Sequence, residues 1–220
     1  MSAQLWQQVT WDLARAGGIL AYLLLTVSVA LGLALSMRWQ RPRWPRLFTN
    51  EMHAFVALLC LVFVAVHVLA VVLDPYTRFG WRDVLVPLAT SYRPVWMALG
   101  IVGLYLLLAV WISTKLRAHI GHAWWRKLHT GTFAVYLLTT LHGLATGTDT
   151  RQPWALDLYA GSALLVAALL INRLLTPIGA HGRPHLRMAA MVVLALLGGL
   201  LWVATGPAHA GWAALANRGI

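Results

Sequence analysis

The sequence has little charge and almost no cysteine: 10% of its 220 residues are charged, 6 are acidic, and Cys60 is the single cysteine. One cysteine cannot form an intrachain disulfide, a CxxC redox pair or a Cys-ligated iron–sulfur cluster. Redox chemistry in this chain would therefore need another cofactor. The chain is instead rich in apolar residues, at 60%, with a mean hydropathy of +0.71. This balance is far from that of a soluble domain and indicates a polytopic membrane protein.

The formal net charge of +11 would suggest a nucleic-acid partner in a soluble protein. Here the basic residues lie between apolar runs, where they serve as topology signals and lipid headgroup contacts. We therefore expect a lipid bilayer as the partner of these charges and no nucleic acid.

Apolar runs long enough to cross a bilayer recur along the chain. We predict an all-α fold, a bundle of six transmembrane helices that forms one domain over residues 1–220, after a short polar segment at the start. The predicted spans are 16–37, 52–73, 95–114, 128–147, 155–175 and 188–204. The connection from Asp74 to Pro94 is partly apolar but is broken by Pro87, so we expect an interfacial or re-entrant turn there.

The basic residues also predict the orientation. Most of the 17 Lys and Arg residues follow spans one, three and five. Under the positive-inside rule these loops are cytoplasmic, so both termini lie outside the cytoplasm of a multi-pass cell-membrane protein. Spans two and four then run parallel to each other, and both begin on the cytoplasmic side.

Two of the spans carry a histidine near each end. His53 and His67 are 14 positions apart in span two, and His129 and His142 are 13 apart in span four. At about 1.5 Å of rise per residue, each pair is separated by roughly 20 Å along its helix. The parallel direction places His53 level with His129 on the inner side, and His67 level with His142 on the outer side. An ionisable residue within a span is costly, which makes all four candidates for function.

Histidine pairs of this kind are typical of haem iron. Two imidazoles in trans fill both axial positions and give a low-spin centre suited to electron transfer. A zinc site would need four ligands together, and a proton relay or di-iron site would add acidic residues. A buried hydrogen bond between helices is the structural alternative. At 100° per residue, a spacing of 13 leaves its ends about 140° apart, so span four needs a local distortion or two directions of approach.

The stretches MHAFVALLCLVFVAVH and LHTGTFAVYLLTTLH resemble the ferric reductase transmembrane domain shared by ferric reductases, the NADPH oxidases and the bacterial MsrQ/YedZ membrane subunits. The similarity covers about Ala16 to Leu175. It implies that the four span histidines are bis-histidyl ligands of two b-type haems, with His53 and His129 on the inner one and His67 and His142 on the outer.

Two features depart from the family pattern. MsrQ-type proteins generally lack the inner histidine that His53 supplies. The oxidases and reductases carry a fused flavin and nicotinamide domain, whereas this chain has no GxGxxG motif or soluble domain and adds a sixth span. The resemblance therefore implies that a separate partner, or quinone, supplies the electrons.

Basic residues near the span ends are candidates for pairing with haem propionates. Headgroup binding and topology are equally good interpretations of them. The candidates on the inner side are Arg43, Arg46, Arg126 and Lys127, and those on the outer side are Arg78, Arg82 and Arg93.

The sequence thus predicts a di-haem b electron-transfer subunit, a membrane component of an oxidoreductase. Its electrons would pass from a cytoplasmic flavin/NAD(P)H reductase or from quinol to an external acceptor such as ferric iron, oxygen or a periplasmic redox partner. Two alternatives remain open. One is an MsrQ-like haem subunit that feeds a periplasmic reductase from quinol, and the other is a non-redox metal-binding membrane module or transporter.

Overall fold

The computed structural model describes residues 2–37 and 45–175, and residue 198. In this part of the chain the structure contains helices and no strand. Arg43 and, apart from residue 198, the predicted span 188–204 lie outside the described residues. The α-helices are α1 (Ala3–Ser36), α2 (Arg46–Leu73), α3 (Trp81–Leu85), α4 (Pro94–Lys115), α5 (Arg117–Ile120), α6 (His122–His129), α7 (Thr132–Thr146) and α8 (Pro153–Leu175), and a 3₁₀ helix covers Thr148–Arg151.

Four of the helices, α1, α2, α4 and α8, are long and apolar enough to cross a membrane. They correspond to predicted spans one, two, three and five, but α1 begins at Ala3 rather than residue 16 and α2 begins at Arg46 rather than residue 52. Pro94 and Pro153 are the first residues of α4 and α8. The N–H that proline lacks would have no partner within the helix at that position, so no helical hydrogen bond is lost. The prediction of an all-α membrane protein is confirmed.

Helix α1 begins at Ala3, well before residue 16, so the polar segment at the start of the chain is helical and continuous with the first predicted span. The Ser2 side chain caps the helix by accepting a hydrogen bond from the Leu5 N–H at 3.3 Å. Thr10 is buried, and its hydroxyl donates to the Asp74 carboxylate at 2.9 Å, which ties this end of α1 to the end of α2. At 34 residues, α1 is about 50 Å long and exceeds the thickness of a bilayer core.

The fourth predicted span is divided into α6 and α7 by Thr130 and Gly131. The Gly131 N–H donates to the Leu128 carbonyl at 2.9 Å, a tightened turn that replaces the regular helical pattern. A Cβ at Gly131 would lie 2.9 Å from the Leu128 oxygen, so the turn needs glycine. This break lies directly after His129 and supplies the local distortion that the 13-residue spacing requires.

Helix α1 packs against α2, α7 and α8, and α4 packs against α7. Within the described residues, α2 and α7 are not among the closely packed pairs, so a gap separates the two helices that carry three of the four span histidines. A buried hydroxyl cluster lies midway along the bundle, where the Tyr22 and Tyr136 oxygens are 3.1 Å apart and Thr140 donates to Tyr22 at 3.3 Å. In a bilayer, such bonds satisfy polar groups that have no water available.

Candidate functional site

His53 on α2 and His129 at the end of α6 face each other. Their ring centroids are 6.1 Å apart and their planes are inclined by 73°. A metal–imidazole bond is about 2 Å long, and half of each ring adds about 1 Å, so two rings in trans on one metal have centroids roughly 6 Å apart. The separation of the His53/His129 pair therefore fits one metal ion between the rings.

His67 on α2 and His142 on α7 form the second pair. Both line a cavity of about 1200 Å³ bounded by α1, α2, α4, α7 and α8. Typical small-molecule pockets are about 300–1000 Å³, so this cavity has room for a planar macrocycle. Because His53 lies beside His129 and the later histidine of each segment lines the same cavity, α2 and the 122–146 segment run in the same direction, as the sequence predicts.

Three of the four imidazoles are held by backbone carbonyls. Nδ1 of His53 is 2.9 Å from the Ser28 oxygen. Nδ1 of His67 is 2.7 Å from the Ala14 oxygen, and Nδ1 of His142 is 2.9 Å from the Trp96 oxygen. A carbonyl can only accept, so Nδ1 carries the hydrogen in each case and Nε2 keeps its lone pair. These three histidines are thus fixed in the tautomer and orientation that a metal ligand needs.

The partners on α1 follow a regular register. Three residues of α2 that are spaced by seven, His53, Cys60 and His67, donate hydrogen bonds to α1. The three carbonyls that accept them are also spaced by seven. The three rungs of this ladder pair His53 with Ser28, Cys60 with Ala21 at 3.4 Å, and His67 with Ala14. Helix α1 carries no histidine, yet it positions both histidines of α2.

Glycines let the rings approach neighbouring helices. A Cβ at Gly18 would lie 3.0 Å from Nδ1 of His67, and a Cβ at Gly100 would lie 2.6 Å from Nδ1 of His142. The second distance is shorter than any normal contact, so His142 occupies the space that a side chain at residue 100 would take.

The basic candidates divide into two groups. Arg46, Arg126 and Lys127 are exposed, and the Lys127 ammonium lies 4.6 Å over the Trp124 ring. Arg93 is half-buried, donates to the Ala145 carbonyl, and has a buried Nε without a hydrogen-bond partner within the described residues. Ala145 is three residues beyond His142, so Arg93 contacts the helix that carries His142, whereas Arg46, Arg126 and Lys127, like Arg78 and Arg82, are exposed.

In the described part of the chain, no group of three or more His, Cys, Asp or Glu residues could hold a metal ion by itself. Each histidine pair supplies two ligands on opposite sides of a gap. The remaining ligands would have to come from the bound group, and haem brings its own four nitrogens and leaves two axial positions. The donor set fits haem.

Sequence reasoning missed the carbonyl partners, the glycines and the buried tyrosines. The contact of the Trp125 ring with that of His129, at 5.0 Å between centroids, was not predicted either. One signal could have revealed the partners on α1. Small residues recur there at Ala14, Ala21 and Ser28, with the same spacing of seven as His53, Cys60 and His67 on α2.

A family model described as ferric reductase like transmembrane component matches residues 17–140. The matched region includes His53, His67 and His129 and ends two residues before His142. Comparison with curated proteins and with solved structures found no match. The matched region is more than half of the chain and confirms the resemblance noted from the sequence. The protein belongs to the ferric reductase-like transmembrane family, which indicates a role in membrane electron transfer.

Proposed function

We propose that the protein is a di-haem b subunit that passes electrons across a membrane. His53 and His129 would hold one haem, and His67 and His142 the other. The observation that carries the proposal is the set of two histidine pairs at two depths, with three of the four rings oriented by carbonyls. When bound between two imidazoles, haem supplies a low-spin iron that accepts and gives one electron.

The chain's own residues orient the ligands and limit their movement. The carbonyls of Ser28, Ala14 and Trp96 keep Nε2 of their histidines free and fix the ring planes. Fourteen residues of α2 separate its two histidines, so the two sites are about 20 Å apart along the helix. Two sites at that spacing divide the crossing of a bilayer about 30 Å thick into shorter steps.

Arg93 is suited to pair with a carboxylate of the group held at the second pair. Its Nε is buried without a partner, and its guanidinium lies beside the segment that carries His142. The exposed residues Arg46, Arg126 and Lys127 are better suited to a docking partner or to lipid headgroups. Arg43 belongs to the same proposed surface.

In this proposal the chain is one domain over residues 1–220 with six spans, and its His53/His129 end faces the cytoplasm. The donor is a separate flavin/NAD(P)H reductase or quinol. The acceptor is ferric iron, oxygen or a periplasmic redox partner.

The haem content of the purified chain tests the proposal directly. We expect the pyridine haemochrome assay to approach two b haems per chain, and dithionite to produce sharp reduced bands, because each histidine pair supplies both axial ligands. One haem per folded chain would contradict the two-haem assignment. A colourless protein that binds transition metals would favour the non-redox metal-binding module.

The exposed basic residues predict where an anionic donor enters. At low salt, we expect the Arg126→Gln/Lys127→Gln double variant to be reduced more slowly than wild type by photoreduced flavin mononucleotide, because the attraction that steers the anion is weakened. The difference should shrink at high salt. Stopped-flow reduction measures both rates, with Arg82→Gln, an exposed arginine in the 74–94 connection, as the matched control. A larger effect of Arg82→Gln would place entry at the opposite end.

A further inference from the structure

The four histidines are not equivalent. Nδ1 of His53, His67 and His142 each has a carbonyl partner. Nδ1 of His129 is buried and has no hydrogen-bond partner within the described residues. The His53/His129 pair therefore has one supported ring, whereas the His67/His142 pair has two.

The ring of His129 is held by a face contact instead. The Trp125 ring lies 5.0 Å from it, inclined by 32°. Trp125 is itself fixed, since its Nε1 donates to the Thr114 hydroxyl at 3.2 Å and the Arg117 guanidinium lies 5.3 Å over its ring. Such a contact restrains the plane of the imidazole but accepts no hydrogen from Nδ1. Within the described residues, no hydrogen bond fixes the tautomer of His129, whereas a carbonyl fixes the tautomer of each of the other three histidines.

The backbone around His129 is also less constrained. His129 is the last residue of the 8-residue helix α6 and is followed directly by the Thr130–Gly131 break. His53 and His67 lie inside α2, and His142 lies inside α7. His142 is further confined by Gly100, where even a Cβ would approach within 2.6 Å of Nδ1. Swinging away from a metal is thus easiest for His129.

We infer that His129 is an exchangeable axial ligand, so that the His53/His129 site also binds small uncharged π-acceptor ligands of ferrous iron, of the class of carbon monoxide. This inference rests on the proposed function, since it needs haem between the two histidines. The exchange breaks the iron–nitrogen bond to His129 and forms one bond to the incoming ligand, without a change in oxidation state. The His67/His142 site, with both rings supported, stays closed. Loss of a supporting hydrogen bond typically weakens metal ligation about 10- to 100-fold. We expect the His53/His129 and His67/His142 sites to differ by this order in how readily a histidine is displaced.

Carbon monoxide titration of the dithionite-reduced, purified full chain tests the inference. We expect one carbon monoxide to bind per chain that holds two haems. Trp125→Leu removes the face contact and should raise the affinity for carbon monoxide severalfold, up to about 10-fold. Trp124→Leu is the matched control, because Trp124 is adjacent, 64% exposed and not in ring contact with His129, and it should leave the affinity unchanged.

His129→Gly identifies the site. It should still bind one carbon monoxide, more tightly than wild type, and added imidazole should restore the six-coordinate low-spin spectrum. Two carbon monoxide molecules per His129→Gly chain would show that the wild-type site is the His67/His142 pair and would overturn the inference. Absence of carbon monoxide binding to a wild-type chain with two haems would overturn it as well. A chain without haem would instead refute the proposed function, on which the inference depends.

Discussion

His53→Ala and His129→Ala are expected to remove the same low-spin spectroscopic species, and His67→Ala and His142→Ala the other. The rings of the first pair are 6.1 Å apart, and those of the second share one cavity, so each substitution takes an axial ligand from one site only. The affected species should lose its low-spin reduced bands, because a haem held by one remaining imidazole is five-coordinate and high-spin, while the other species stays low-spin. Redox titration with reduced optical spectra identifies which species is lost.

The matched control for these variants is His119→Ala. His119 is exposed in the short helix α5, away from both pairs, and its substitution should leave both haem spectra intact. If His53→Ala and His129→Ala removed different species, the pairing itself would be wrong.

Gly100→Ala is expected to disable the His67/His142 site without touching any ligand. The new Cβ would lie 2.6 Å from Nδ1 of His142, so the ring must leave its position and its bond to the Trp96 carbonyl. Overpacking of this kind costs about 1–3 kcal/mol, and the displaced ring no longer faces His67. The measured result should be loss or high-spin conversion of the second species, with the His53/His129 species unchanged.

Gly161→Ala provides the comparison, because a Cβ at that position on α8 meets nothing within 4 Å. It should retain the haem content and spectrum of wild type. A Gly100→Ala protein with both species at full occupancy would show that His142 does not need its present position to bind.

The histidines could be identified as functional candidates from the sequence because ionisable residues are rare within membrane spans. His53 and His67 interrupt an apolar helix, where an ionisable side chain needs a reason to be present. The angular mismatch of the 13-residue spacing between His129 and His142 also indicated a distortion, and the structure has one at Thr130–Gly131. Both deductions depend on helix geometry, which is the same in every sequence.

The groups that orient the rings could not be predicted in the same way. The Ser28, Ala14 and Trp96 partners act through backbone carbonyls, which every residue possesses. Their choice depends on how far one helix is shifted along its neighbour, a tertiary property. The role of Gly100 could not be predicted either. A glycine in an apolar span is as consistent with close helix packing as with making room for an imidazole ring.

The start of α1 could not be predicted from hydropathy for a different reason. Hydropathy marks where a helix enters hydrocarbon, but a helix continues into water as long as its backbone bonds are satisfied. The Ser2 cap and the buried bond between Thr10 and Asp74 supply that stability, and the second needs a residue 64 positions away.

The seven-residue register between α1 and α2 restricts which changes in chain length the protein tolerates. One residue inserted into α1 between Ala14 and Ser28 would turn one end of the helix by about 100° and move it about 1.5 Å relative to the other end. The carbonyls at positions 14 and 28 could then not both meet the imidazoles of α2. Loops can lengthen without disturbing the ladder, whereas the middle of α1 has to keep its length as strictly as the helix that carries the histidines.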